Sequence, residues 1–318
     1  MLKIFRKKPL KAINVGTVKG LLRDSSFSTP MYAKVIEATK CNQTGAELYT
    51  LELFFPRIIL AEQNTHRVFS RNTGSSRAIP ILRMLSELLR TPFKPLFFGA
   101  NKSGMQSAQE LPAWKQMLCA SLWNSHRLFT YLTVRSLTKL GLHKQWGNRL
   151  LEPHTYIRQV VTSSDWANYL HLRLHDDAQP EIILLAAMID QALFNHQPRL
   201  VDLDNPETSA DSWHLPYVTA DERDKYFKYP TFLAKLSAAR CARTSYLTQE
   251  NMTPNPEKEI KTFKLLAESV PIHASPLEHQ AFPAPSAEHK SRNLVGFIQY
   301  REHYETKEFG QPIVIPRV

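Results

Sequence analysis

The chain has 318 residues, of which 43% are hydrophobic, and it carries a formal charge of +11. That length and apolar content can fill a substantial core, which excludes a disordered or fibrous protein. The charge predicts attraction to polyanions, whether nucleic acid, an anionic membrane or a phosphorylated small molecule, and does not choose among them.

Much of the excess sits in Lys3, Arg6, Lys7, Lys8, Lys11 and Lys19, so residues 1–28 read as a basic N-terminal extension. No apolar block follows that is long enough for a signal peptide, and no segment approaches a membrane span. The expectation is a soluble cytoplasmic protein with no membrane partner. Cys41, Cys119 and Cys241 are widely spaced and odd in number, which argues for reduced, packed thiols rather than disulfides or a zinc knuckle.

Met31 to Thr39 and Glu47 to Phe55 are rich in β-branched and aromatic residues and flank Asn42-Gln43-Thr44-Gly45, which predicts a hairpin ended by Pro56. Arg57 to Phe69 shows helical spacing of Ile58, Ile59, Ala61 and Val68, which places His66 and Arg67 near a helix C-terminus. Ser70 to Arg77 is then expected as a polar loop. Its arginines offer planar forks of donors while Ser and Asn close shorter hydrogen bonds, so the run suits phosphate or another oxygen-rich ligand. A solvated, turn-rich loop is the plainer alternative.

Pro80 begins a second helical pattern through Leu89, and a loop follows from Thr91 to Gln109. Leu111 to Leu140 carries Met117, Leu118, Leu122, Leu128 and Leu132 at helical spacing and is predicted as the central core helix. Ser164-Asp165 can cap a helix bearing Trp166, Leu170 and Leu174, and Ala178 to Phe194 reads as a long apolar helix with Pro180 in its first turn. Arg199 to Asp221 is loop-like. The later segments carry few clear core elements, so residues 29–318 read as one domain, without internal repeats.

Four elements carry a family resemblance. His66, Arg67, Ser70, Asn72, Ser75 and Arg77 fit a His-Arg-x-x-Ser-x-Asn-x-x-Ser-x-Arg pattern. Asn168, Leu172 and Arg173, with Ala178-Gln179-Pro180-Glu181-Ile182, form a second element. Ala242-Arg243-Thr244-Ser245-Tyr246 is a third, and Pro276-Leu277-Glu278-His279-Gln280-Ala281-Phe282 a fourth. Together they resemble the flavin-dependent thymidylate synthase family (ThyX). In the commoner family arrangement the last two elements precede the first; here they follow it, so the chain resembles a circularly permuted, divergent and phage-like member.

The resemblance implies an α/β (α+β) fold with an antiparallel sheet and a helical bundle, assembled as a homotetramer. It implies one-carbon transfer from methylenetetrahydrofolate to C5 of dUMP or dCMP, using FAD, with NADPH as a candidate reductant and no need of nucleic acid. Carried over residue by residue, Arg173 and Ser75 are the catalytic candidates. Arg77, Arg149, Arg173, Ser75, Gly74, Glu62 and Gln63 are on the nucleotide side. His66, Arg67, Asn72, Asn168, Leu172, Ser245 and His279 are on the flavin side. The competing assignments are a surface ion pair for Arg173 with Asp176 or Asp177, and packed or surface roles for the histidines.

Other chemistries are less well supplied. No cysteine stands in a polar setting that lowers a thiol pKa, whereas a flavin route needs no cysteine nucleophile. No Asp-oriented His is spaced to activate Ser75. His171 and His175 share a helix face but have no third-ligand motif, so no metal site is expected.

Three departures bear on substrate. Thr65 stands where the family has the first Arg of an Arg-His-Arg run. Glu62 stands where it commonly has Gln, unless Gln63 substitutes through a one-residue shift. Thr73-Gly74 replaces a segment that often includes Glu. These changes point to a hydroxymethylating relative acting on dCMP or dUMP, because water rather than hydride can complete the exocyclic methylene at C5. The alternative from another class is a non-catalytic basic nucleic-acid-binding protein, which predicts no flavin colour and a steep loss of DNA affinity with salt.

Overall fold

The computed structural model describes residues 29–103, 109–175, 177–203, 207–244 and 255–311, together with 313 and 316. The basic extension at 1–28 and Ser245 lie outside these described residues.

A five-stranded sheet organises the chain, in the order β3-β4-β2-β1-β5. Its strands are β1 (Tyr32–Cys41), β2 (Glu47–Pro56), β3 (Ser70–Thr73), β4 (Tyr156–Ser163) and β5 (Arg199–Val201). Every pairing is antiparallel except β1 with β5. The fold is therefore mixed α/β with an antiparallel-dominated sheet. The β1–β2 hairpin turns at the expected residues, where Gly45 takes φ +72°, a region that costs a residue with Cβ.

Alternation along the strands gives the sheet two different faces. Tyr49, Leu51, Leu53 and Phe55 of β2, with Ile157 and Val161 of β4, face an apolar core. That core is closed by Trp166 and Tyr169 and by the helix Pro180–Asn195, which buries Ile182, Ile183, Leu184, Leu185 and Ile189. The opposite face carries Thr39, Thr50, Thr162, Ser70 and Asn72. It is covered by a second cluster built on Trp213, Leu215, Phe232, Leu236, Phe263, Leu277, Phe282 and Tyr300.

The short helices differ from the expectation at residues 57–69. A 3-10 turn at Arg57–Ile59 leads into α1 (Leu60–Gln63), which stops at once. Thr65 explains the stop: its hydroxyl donates to the Glu62 carbonyl at 2.7 Å and its N–H to the same oxygen at 3.2 Å, taking up a helix-end acceptor. Phe69 then enters the core, and Ser70–Thr73 pairs with β4 as the edge strand β3 instead of forming a loop. The Arg199–Asp221 stretch likewise yields β5, a 3-10 turn at Ala210–Ser212 and the start of a helix capped by a Thr219/Glu222 capping box.

The helices Ile81–Arg90 (α2) and Ala113–Lys139 (α3) form where expected, but α3 is not a central core helix. Of its 27 residues only Thr130 and Val134 are buried, whereas Trp114, Met117, Leu118, Leu122, Phe129 and Leu132 are exposed. Periodicity reported the helix correctly. It could not report that no other described element covers most of it.

Candidate functional site

The candidate site lies around the edge strand β3. On the apolar-core side, α5 (Ala167–Arg173) ends with Arg173 pointing at the turn after α1. Arg173 donates from Nε to His66 Nε2 at 3.0 Å, and from Nη2 to the Glu62 carbonyl at 3.0 Å and to Thr65 Oγ1 at 2.8 Å. Of the two acidic partners weighed for Arg173, Asp177 instead lies 3.6 Å from His175, and Asp176 lies outside the described residues. His66 packs against Phe69 and edge-on against Tyr169, with ring centroids 5.7 and 4.8 Å away. Burial, then the charges of Arg173 and Arg71, hold the His66 pKa down to about 4. The ring is thus neutral, and its Nε2 lone pair accepts from Arg173.

Gln63 is fully buried and accepts from Tyr169 Oη at 2.9 Å. Glu62 is half-buried, and its Oε2 has no hydrogen-bond partner among the described residues, nor has Gln63 Nε2. Both candidates for the family's Gln position therefore keep an unmade bond near Arg173.

The segment beyond β3 is held as a turn. Gly74 N–H donates to the Arg158 carbonyl at 2.9 Å, Arg57 Nη1 donates to the Gly74 carbonyl at 3.3 Å, and Ala78 N–H donates to the Ser75 carbonyl at 3.0 Å. Asn148 Nδ2 donates to the carbonyls of Ser76 and Ile79 at 2.7 and 2.9 Å. Asn148 sits on the helix Lys144–Leu151 (α4), whose Gly147 lets α4 approach closely: a Cβ there would meet Ile81 Cδ1 at 2.7 Å. Arg149, the next residue on α4, is exposed, as is Arg77. Asn148 thus fixes the turn that carries Ser75 and Arg77 against the helix that carries Arg149.

On the other face, Thr162 of β4 is the register partner of Ser70 and meets His279 Nδ1 at 2.8 Å. Asn72 follows Ser70 on this face. Asn72 is 3% exposed and His279 0%, yet Asn72 Nδ2 and His279 Nε2 have no partner among the described residues. An unmade buried bond costs on the order of 1–3 kcal/mol, so such a pair on one face marks a place for a polar ligand or water.

Not every candidate converges. Arg67 is exposed, and Asn168 and Leu172 lie on the outward side of α5. No hydrogen bond ties the side chains of Arg67 or Asn168 among the described residues. Residues absent from the sequence reasoning also belong here. Gln299 and Asn293 bind Ser70, with Asn293 Nδ2 donating to Ser70 Oγ at 2.9 Å, and His214 binds Thr50. Nothing in their local sequence marks them, because each is recruited by the sheet.

Cys41 and Cys241 are buried, and burial pushes the Cys241 thiol up, away from thiolate. No group of three metal-ligating side chains occurs among the described residues. No helix among them is long and apolar enough to cross a membrane. No protein-family model matches the chain, and no curated protein matches it.

Proposed function

We propose that the chain is a flavin-dependent one-carbon transferase acting at C5 of a pyrimidine deoxynucleotide, a permuted relative of the flavin-dependent thymidylate synthases. One observation carries the reading: Arg173 reaches across 107 positions of sequence to bond His66, so two elements of the resemblance meet at one place. Arg173 Nε and Nη2 are occupied, which leaves Nη1 for a carbonyl of the base. Ser75 hydrogen-bonds the nucleotide, and Arg77 and Arg149 pair with its phosphate. Gly74, buried with both backbone groups bonded to Arg158 and Arg57, shapes the turn that carries Ser75 and Arg77 rather than meeting the nucleotide, and Glu62 and Gln63 supply the unmade bonds beside the base.

The residues present fit a flavin. Asn72 and His279 offer buried, unpartnered polar atoms, His66 offers a neutral ring, and Arg67 offers a guanidinium for the pyrophosphate. Asn168 and Leu172, on the outward side of α5, are not brought to that side, and Ser245 is assigned to it by the resemblance alone. Bound FAD, kept reduced by NADPH, would supply carriage of the methylenetetrahydrofolate carbon; hydride would complete a methyl product, whereas the hydroxymethyl product takes its oxygen from water and consumes no reductant. The protein's own work is to orient base against ring and to exclude water. The raised thiol of Cys241 supports this route over a cysteine nucleophile.

Thr65 spends its position on Arg173 and Glu62 and adds no charge. The proposed product is accordingly the 5-hydroxymethyl nucleotide. Purified protein with FAD, methylenetetrahydrofolate, NADPH and either dUMP or dCMP is expected to give a product heavier by a hydroxymethyl group. Thymidylate as sole product removes the hydroxymethyl step, and no C5 product from either nucleotide removes the whole reading. A colourless protein with steeply salt-dependent DNA affinity supports the nucleic-acid alternative instead.

The exposed stripe of α3 fits a second copy of this chain. Its apolar side chains occupy both halves, Trp114, Leu118 and Leu122 in one and Phe129 and Leu132 in the other, as a twofold self-pairing requires. At 1.5 Å per residue α3 spans roughly 40 Å, enough for one face of a homotetramer. Leu122→Glu with Phe129→Glu is expected to yield a smaller species by sedimentation, with an unchanged circular dichroism spectrum. An unchanged mass would place the interface elsewhere.

A further inference from the structure

Buried hydrogen bonds run in one line across the polar face of the sheet. Thr39 Oγ1 meets His214 Nδ1 at 3.0 Å, and His214 Nε2 meets Thr50 Oγ1 at 2.7 Å. Thr50 Oγ1 meets Thr162 Oγ1 at 2.6 Å, and Thr162 Oγ1 meets His279 Nδ1 at 2.8 Å. All of these side chains are buried. Burial also keeps both rings neutral, with His214 well below its ordinary pKa and His279 held down to about 3.

Each neutral imidazole and each hydroxyl has a single proton to give. If none is wasted inside the line, His214, Thr50 and Thr162 each accept from one neighbour and donate to the other, so only two orders exist. In the first, protons point from Thr39 to His279, and His279 presents Nε2–H. In the second they point back, His279 presents a lone pair, and the buried Thr39 proton has no acceptor among the described residues. The neighbouring charges favour the first. Arg199, the register partner of Thr39, and Arg223 both act on His214, and Glu37 lies between them at 3.2 Å from each. The remaining positive charge turns the bond dipoles so that their positive ends point away, towards His279.

His279 Nε2, Asn72 Nδ2 and Gln299 Oε1 are buried without a partner among the described residues, and each is tied to Ser70: Gln299 bonds it, Asn72 follows it on the same face of β3, and His279 bonds its register partner Thr162. Gln299 Nε2 lies 2.8 Å from Asn293 Oδ1 and 3.3 Å from both Ser70 Oγ and the carbonyl of Glu278, the residue before His279. Those acceptors fix which end of the Gln299 amide is nitrogen, so its free atom is an acceptor.

We propose that the Thr39–His214–Thr50–Thr162–His279 line holds His279 as an Nε2–H donor, and that with Gln299 and Asn72 it forms a donor–acceptor–donor seat for a cyclic imide edge. Carbonyl, N–H and carbonyl in sequence occur on the pyrimidine ring of a flavin and on uracil. Cytosine lacks that edge, because its N3 accepts and its N4 amino group donates. The assignment rests on the flavin and nucleotide reading above, and two measurements keep the two separable.

The first is ring ¹⁵N NMR on the full chain labelled at histidine, with His279 assigned by its loss in His279→Gln. The expected signal is protonated at Nε2, and Thr50→Val, which cuts the line, is expected to give a mixture of tautomers. A wild-type ring protonated at Nδ1, or one unchanged in Thr50→Val, overturns the relay. The second is calorimetric binding of FAD and dUMP to the wild-type chain, each compared with its N3-methyl derivative. Whichever imide occupies the seat is expected to lose about tenfold or more in affinity on N3-methylation, the cost of one blocked hydrogen bond. Loss only in the FAD pair assigns the seat to the flavin, and loss only in the dUMP pair assigns it to the base. Equal affinity within both pairs, or no binding of either parent, overturns the seat. A chain that makes C5 product but ignores N3-methylation refutes the seat alone; one that discriminates N3-methylation but makes no product refutes the reaction alone.

Discussion

Arg173→Ala is expected to lower kcat/KM for the pyrimidine nucleotide by about a hundredfold or more. The side chain makes three hydrogen bonds that tie α5 to the turn at Glu62, Thr65 and His66. Hydrogen bonds to a charged group are each worth about 1.5–3 kcal/mol, and each 1.4 kcal/mol in a transition state is about tenfold in rate. Losing the guanidinium removes the bond proposed to the base and also frees His66 and Thr65. Arg173→Lys is expected to recover little, because an ammonium cannot span His66, Thr65 and a base carbonyl with one planar fork. Steady-state kinetics and the thermal midpoint, measured together, separate the roles. A large drop in kcat/KM with a midpoint shifted by only a few degrees supports the site, whereas activity within about threefold of wild type removes Arg173 from it.

A second large effect is expected from acid. His279 is fully buried, with its pKa depressed from 6.5 to about 3 by desolvation, and His214 is depressed by the same cause, then by Arg199 and Arg223. The folded values lie below the unfolded value, so the unfolded chain binds protons first as pH falls. The stabilisation is fully present above about pH 6.5 and is lost progressively towards the folded values. For His279 the loss reaches on the order of 2 kcal/mol by about pH 5, a large share of the ~5–15 kcal/mol typical of a domain. Glu37 opposes it, since burial raises its pKa and so adds stability as pH falls. The urea midpoint is expected to drop between about pH 6.5 and 5, and His214→Asn is expected to flatten that drop. A midpoint level across this range in wild type would show that these rings are not held neutral by burial.

Some parts of the fold were legible because their causes are local. The β1–β2 hairpin follows from β-branched runs around a turn that ends in Gly45. The helices at Ile81–Arg90 and Pro180–Asn195 follow from apolar spacing behind Pro80 and with Pro180 at the first turn. Strand β3 was not legible, because Ser70-Arg71-Asn72-Thr73 has no strand pattern and pairs only because β4 offers an edge. The exposure of α3 was hidden for the opposite reason: a helix apolar on several sides reads as core whether or not anything in the chain covers it.

At the candidate site, residue chemistry marked the run from His66 through Ser75 to Arg77 as able to hold an oxygen-rich ligand, and the family resemblance added Arg173 and His279. Tertiary structure alone decided which of them meet. Arg173 clamps His66 and Thr65, Asn148 holds the Ser75–Arg77 turn, and Asn168 stays apart on the outward side of α5. It also recruited His214, Gln299 and Asn293, which no motif marks. Local propensity acts within a turn or a few residues, so the sequence by itself determined the hairpin, four of the helices up to Asn195 and the chemical character of the site, while the later segments, expected to carry few core elements, supply the buried helix Pro230–Arg243 of the second cluster. Partnership across 100 residues or more, such as the 164 positions between Thr50 and His214, depends on which faces the sheet brings together, and burial then makes each bond binding.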